Sequence, residues 1–336
     1  MSTQTAQPTK RRLNTNKILP PMVTGQELVL VAVIVVLWVV LGFNTPSFLT
    51  SGSIIPLLVQ VAPIALIGVG MTFVIITAGI DVSVGSIIMV AAVVSAKSLV
   101  DMGLSFFPAL LISLVVGAVL GAINGVLIAY GRVHAIIITF GTMNLFRFIG
   151  LQVFDSSTVN GIPGTFGFFG RGAAGVTMGV PHSFAIAVIV TAIAWWYLRY
   201  TKGGRSLFAI GGNANAARLA GIKVQPRILL VYTLTGLLAG LAACMTIATG
   251  TSTLDQSVGN GRELQIIAAV VIGGTSIIGG RGSVLGTLLG ALLVQTVTSG
   301  VTQLGWPSQL SYLFVGIFII VAVGADLVRE RARRRA

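Results

Sequence analysis

Side chains able to do chemistry are scarce in this sequence, and those present are scattered. His134 and His182 lie in different regions and build no metal site. Cys244 is the only cysteine; inside an apolar run it reads as a small buried hydrophobe. No G-x-x-x-x-G-K-S/T phosphate loop is present, and no nucleophile is paired with a base. The sequence therefore offers no catalytic residue, metal or cofactor, and argues against an enzyme. The acids Glu27, Asp81, Asp101, Asp155, Asp255, Glu263, Asp326 and Glu330 fall at the ends of apolar runs or in the gaps between them. Ion-coupled carriers place carboxylates within the bilayer. A transport step here must draw its energy from a partner, or the path is passive.

What remains is a set of polar residues embedded in apolar surroundings. Ile80-Asp81-Val82-Ser83-Val84-Gly85-Ser86 interrupts two apolar runs. Asp81 or Ser83 can accept bonds from the free amides opening the next helix. The segment reads either as a cap and turn or as a broken-helix element lining a path. Asn124 sits among Gly121, Ala122, Ile123 and Gly125, and must face protein or a wet cavity. Phe140 and Asn144, with Thr139, Gly141 and Thr142, form a second mixed stretch that leads to Arg147. Gln60, Gln152 and Gln295 are further polar spots. Gln60, Asp81, Ser83, Asn124, Phe140 and Asn144 are the candidate lining of a translocation path.

The longest polar block runs from Gly203 to Ile222. Asn213 can cap a short Ala-rich helix that Gly221 ends. A short helix held between two spans is a mechanical lever; an ordinary basic loop is the plainer reading. A last block, Gly259 to Thr287, is rich in glycine, and its small residues permit tight helix packing.

The elements that must position these residues follow from hydropathy. The 336 residues are 55% hydrophobic and 9% charged, with a mean hydropathy of +0.97. A soluble domain carries roughly 25% charged residues, so lipid is the natural solvent for most of this chain. A membrane helix needs about 20 mainly apolar residues. On that ruler ten spans are expected, at 28–43, 54–78, 83–99, 109–130, 135–153, 184–199, 228–249, 264–278, 284–302 and 312–326. Pro56 and Pro63 are expected to bend the second. The fold class is an all-α polytopic membrane protein with about ten transmembrane helices. Residues 1–27 are expected as a cytoplasmic tail, 28–328 as the membrane domain, and 329–336 as a basic cytoplasmic tail. No small-residue cleavage site follows the first run, which is therefore expected to stay as an uncleaved span.

Placing the amino end in the cytoplasm and alternating sides puts all but Lys97, Arg147, Arg171 and Arg262 of the 21 Lys and Arg on the cytoplasmic side. Residues 154–182 then form a periplasmic loop and 200–227 a cytoplasmic segment. The net charge of +13 reflects this topology, and no nucleic-acid partner is implied. The glycine-broken turns at Gly79 to Gly85 and Gly279 to Gly286 read as echoes of a duplicated half.

Taken together, several of these blocks resemble the permease family of bacterial sugar ABC importers, whose members serve ribose, xylose, arabinose, galactose, rhamnose and autoinducer-2-type signal sugars. The resemblance rests on Ile80 to Ser86, Asn124-Gly125, Thr139 to Thr142, Gly204-Arg205 through Gly221, and Glu263 through Gly286, in that order along the chain. It implies a fold like the type II importers, in the inner membrane with both termini cytoplasmic. It also implies a second permease subunit, identical or not, two ABC ATPase subunits and a periplasmic substrate-binding protein. It makes Asn213 to Gly221 a coupling helix, with Gly204, Arg205, Gly212, Asn213, Ala216, Ala217, Arg218 and Gly221 as ATPase-coupling residues and Gly280-Arg281-Gly282 as a second contact. Relatives often carry an acid just after the position of Asn213; here Ala214 stands there. The rival expectation is a secondary transporter or channel working on a gradient alone. A lipid-modifying membrane enzyme would need clustered His, Asp or Lys near one interface, which the sequence does not show.

Overall fold

The computed structural model describes residues 25–131, 133–170, 172–249 and 252–335, with side chains as far as residue 324. The expected tail as far as residue 24, Arg132, Arg171 and the side chains of the basic carboxyl-terminal tail lie outside the described residues. In chain order the elements are α1 (Gly25–Asn44), α2 (Ser51–Ile76), α3 (Val84–Val100), α4 (Phe106–Gly131), α5 (Ala135–Phe154), β1 (Val159–Asn160), β2 (Val176–Thr177), β3 (Val180–Pro181), α6 (His182–Tyr200), α7 (Lys202–Gly212), α8 (Ala214–Leu219), α9 (Val224–Thr249), β4 (Thr253–Leu254), α10 (Arg262–Ile272), α11 (Val284–Gln303) and α12 (Leu310–Arg335). Helices α1, α2, α4, α5, α6, α9 and α11 are long and apolar enough to cross a membrane, and α3 and Leu310–Gly324 are shorter apolar helices. The chain is an all-α polytopic membrane protein.

Helix α2 forms the axis. It is apolar on every side, and from Val61 to Ile76 every residue is buried, as such a helix requires. It continues as one helix across Pro56 and Pro63. Gly68 and Gly70 let neighbours close on it: a Cβ on Gly70 would lie 2.8 Å from the Thr235 Cα of α9. The Thr72 and Thr287 hydroxyls meet at 2.7 Å between α2 and α11.

A close seam joins α4 to α9. Gly117, Gly121 and Gly125 repeat every fourth residue on α4, and Gly236 and Gly240 do so on α9. A Cβ on Gly117 would fall on the Gly236 carbonyl and 2.8 Å from the Gly240 amide. The Ser113 hydroxyl donates to the Gly240 carbonyl at 2.8 Å. In lipid, where apolar burial gives little drive between helices, such close backbone contact supplies the attraction. Cys244, on the same helix, is fully buried.

One expected span is different. Instead of 264–278, α10 has eleven residues and stops at Ile272. At about 1.5 Å per residue it is about 16 Å long, half the hydrocarbon thickness of about 30 Å. The apolar run continues past it, but Gly274 takes φ +94° and the chain turns. A strap leads into α10: Asp255 accepts from the Ser257 amide at 2.6 Å, and the Ser257 hydroxyl, followed by that amide, holds its carboxyl below the usual range. At the strap's end Gly259 packs against Gly85 at the start of α3.

The loop 154–182 packs as a cap. Strand β1 pairs with β4, β2 with β3, and Phe166 and Phe169 bury against Phe106 with ring centroids 5.6 Å away in each case.

Candidate translocation path and coupling segment

The break between α2 and α3 is tied to three other helices. Asp81 is fully buried. Its Oδ1 accepts from the Ser83 amide at 2.9 Å and the Ser83 hydroxyl at 2.6 Å. Asn124 of α4 donates from Nδ2 to Ser83 Oγ at 2.7 Å. On α5, the Thr139 hydroxyl donates to the Ile80 carbonyl at 3.0 Å and accepts from the Val82 amide at 3.3 Å. Tyr232 of α9 brings its hydroxyl against Gly79, where a Cβ would lie 2.5 Å from it. Asp81 thus makes a turn onto the amide of Ser83, the residue preceding α3, while Ser83 makes no side-chain cap bond to the helix and relays between Asp81 and Asn124. Asp81 Oδ2, Asn124 Oδ1 and the Tyr232 hydroxyl are buried without a protein partner, an expense of about 1–3 kcal/mol each when left so.

Three of the candidate path residues, Asp81, Ser83 and Asn124, thus form one knot. The other three stand apart from it. Gln60 is exposed on α2 and accepts from Gln295 Nε2 at 2.9 Å. Phe140 is 60% exposed and Asn144, one turn on, donates to its carbonyl at 2.9 Å; both lie on the open face of α5. Arg147 reaches from α5 to Asn260 Oδ1 at 3.0 Å and so ties α5 to the strap before α10. Tyr232 was not singled out by sequence; a tyrosine inside the apolar run of α9 was the available signal.

The segment after α6 folds as two helices rather than one. Thr201 caps α7, its hydroxyl accepting from the Gly204 amide at 2.9 Å. Asn213 caps α8 as expected, accepting from the amides of Asn215 and Ala216, both at 3.0 Å. Gly221 ends α8 with φ +83°, a left-handed turn that favours glycine. Ile210, Ala217 and Val224 form a small separate core beneath α8. Of the expected coupling residues, Gly204 and Ala217 are buried, and Gly204 packs on the Leu198 backbone. Arg205, Gly212, Asn213, Ala216, Arg218 and Gly221 are exposed. Leu219, at the tip, is 90% exposed.

The helix pair is seated on both chain breaks. The Gly280 amide donates to the Ile76 carbonyl at 2.9 Å, joining the break after α10 to the end of α2. Gly211 of α7 lies on that bond: a Cβ there would fall on the Ile76 carbonyl and 2.5 Å from the Gly280 amide. The two glycine-broken turns of the sequence meet here. Behind them, the Ser283 hydroxyl donates to the Glu27 carboxylate; Glu27 lies within α1 and is buried.

A family model described as "Branched-chain amino acid transport system / permease component" matches residues 53–323. Ribose import permease protein RbsC of Escherichia coli (strain K12) is 39% identical over 294 residues, 87% of this chain and 91% of that protein. D-allose transport system permease protein AlsC of the same organism is 35% identical over 295 residues, 88% of this chain and 89% of its own length. Autoinducer 2 import system permease protein LsrD of Photorhabdus laumondii is 32% identical over 309 residues, 89% and 90% of the two chains. No solved structure matches. With matches of this extent laid over the seven long and two shorter apolar helices of the described residues, the chain belongs to the permease family of bacterial sugar ABC importers.

Proposed function

We propose that this chain is the membrane permease of a binding-protein-dependent ABC importer that carries a monosaccharide or a related small polar solute across the inner membrane. The observation that carries the reading is the seat of α7 and α8 on the bond between Ile76 and Gly280. A displacement of α8 reaches both chain breaks at once. One break continues into the Asp81–Ser83–Asn124 knot, the other into the half-length α10.

In this reading the ATPase takes hold of the exposed face of α8, with Leu219 as the knob and Asn213, Ala216, Arg218 and Gly221 around it. Arg205 and Gly212 belong to the same face. Gly204 and Ala217 act from inside, fixing the pair to α6 and to the small core. The basic side is cytoplasmic, both termini lie there, and the cap 154–182 meets the periplasmic binding protein. The open face of α5, with Phe140 and Asn144, looks onto the path shared with a second permease subunit, and Gln60 lines its wall. An exposed asparagine at that depth needs a wet or protein neighbour. The named relatives carry ribose, allose and an autoinducer, which supports a sugar-like cargo.

The test is uptake by proteoliposomes containing the chain with its ATPase and binding protein. Ribose uptake is expected only with ATP and both partners. Accumulation by this chain alone on an ion gradient would overturn the proposal.

A further inference from the structure

Two recesses on the wall of the bundle are joined end to end. The first is a groove of about 310 Å³ between α2, α6 and α9, walled by Phe73, Ile193, Trp196, Leu230, Leu234 and Leu238 among other apolar side chains. Ile193, Trp196 and Leu230 leave 60%, 55% and 54% of their surface open, so the groove opens sideways into the membrane. The second, of about 470 Å³, is lined by Lys202, Ser206, Lys223 and Arg227, and shares Leu230 with the first. Arg227 Nη1 donates to the Tyr197 hydroxyl at 3.4 Å, and the Tyr197 ring walls the groove. Gly203 makes room for this meeting: a Cβ there would lie 2.9 Å from Arg227 Nη1.

Three properties select the occupant. The walls of the groove are apolar, so water gains nothing by filling it. Its length on α9, from Leu230 to Leu238, is about 12 Å, close to the depth of one leaflet of a core about 30 Å thick. At its mouth stand three cations, and neither lysine has a carboxylate partner among the described residues. An apolar helix from another subunit would fill the groove and leave those cations unmatched. A zwitterionic lipid would fill it without neutralising them. Basic pockets between membrane helices at the headgroup level favour anionic headgroups.

We propose that the joined recesses bind one anionic phospholipid, with an acyl chain in the groove between α6 and α9 and the phosphate on Lys202, Lys223 and Arg227. Ser206 of α7 and Gly221 at the end of α8 line the headgroup recess. The bound lipid therefore braces the root of the helix pair. This seat depends only on the chain lying in a bilayer, and stands whether or not the importer reading does.

The test is fluorescence quenching of Trp196 in the full chain, with Trp38→Phe, Trp195→Phe and Trp306→Phe removing the other indoles. The probes are bilayers of phosphatidylglycerol or phosphatidylcholine with brominated acyl chains. Brominated phosphatidylglycerol is expected to bind at Trp196 about tenfold more tightly. Lys202→Gln with Lys223→Gln and Arg227→Gln should bring that ratio near one while quenching by phosphatidylcholine persists, which also reports that the groove is intact. Equal binding of the two lipids by the parent overturns the proposal and needs no charge variant. So does a preference that survives neutralisation. Absence of quenching by either lipid in the importer assembled with its partners would show the groove covered by protein, and overturns it too.

Discussion

Asp81 illustrates how a membrane protein keeps a carboxylate away from water. Its Oδ1 takes two bonds from Ser83, and Ser83 is itself held by Asn124. Each bond is worth about 0.5–1.5 kcal/mol net, but losing one partner leaves a buried polar atom stranded at about 1–3 kcal/mol. Asn124→Ala should therefore lower the stability of the detergent-solubilised chain by about 1–3 kcal/mol, read as a fall in unfolding temperature. Ser83→Ala alone should do the same. The double variant should lose less than the sum, because both residues belong to one network. Strictly additive losses would show that Asn124 acts independently of Ser83.

At the scale of elements, the α4–α9 seam carries a sharp demand. Gly236 meets the Gly117 carbonyl and the Gly121 Cα, which is 2.8 Å from where a Cβ would sit. Backbone cannot swing aside as a long side chain can. Gly236→Val should force the helices apart and destabilise by about 1–3 kcal/mol or more, with reduced yield in the membrane fraction. Gly141 of α5, with open space where a Cβ would sit, serves as the control: Gly141→Ala should leave the unfolding temperature unchanged or raise it slightly. Equal effects at both positions would sink the packing argument. These seams also mark what the residue string could convey. Eight of the ten expected runs became helices of similar extent because hydropathy decides which backbone can satisfy itself in lipid, and the run at 312–326 lies within the longer α12. The run at 264–278 was overextended, since Gly273 and Gly274 look apolar on average while Gly274 in fact turns the chain. Helix α7 passed unnoticed between Gly203-Gly204 and Gly211-Gly212, residues that usually break helices. Here Gly204 and Gly211 are needed because Leu198, Ile76 and Gly280 lie against them. Asp81, Ser83 and Asn124 could be singled out as polar residues in apolar surroundings. Their meeting could not, because it joins Asn124 to Ser83 across 41 positions, and no local pattern records that pairing.

At the scale of the whole molecule, the features described above divide between two ends. The Phe106–Phe166–Phe169 cluster and the paired strands close one end. The two chain breaks, the α7–α8 pair and the start of α11 occupy the other. The burial of Cys244 gives this arrangement a practical use. Because the sole native thiol is sealed within the helices, a maleimide that cannot cross lipid should find no target in the unaltered chain. Cysteines placed at exposed tips then report sidedness against a silent background. Met178→Cys, at a position 98% exposed in the β2–β3 turn, should be labelled in spheroplasts, whereas Leu219→Cys should react only after the membrane is permeabilised. The opposite pattern would turn the molecule over in the membrane, and with it the side from which α8 can be pushed.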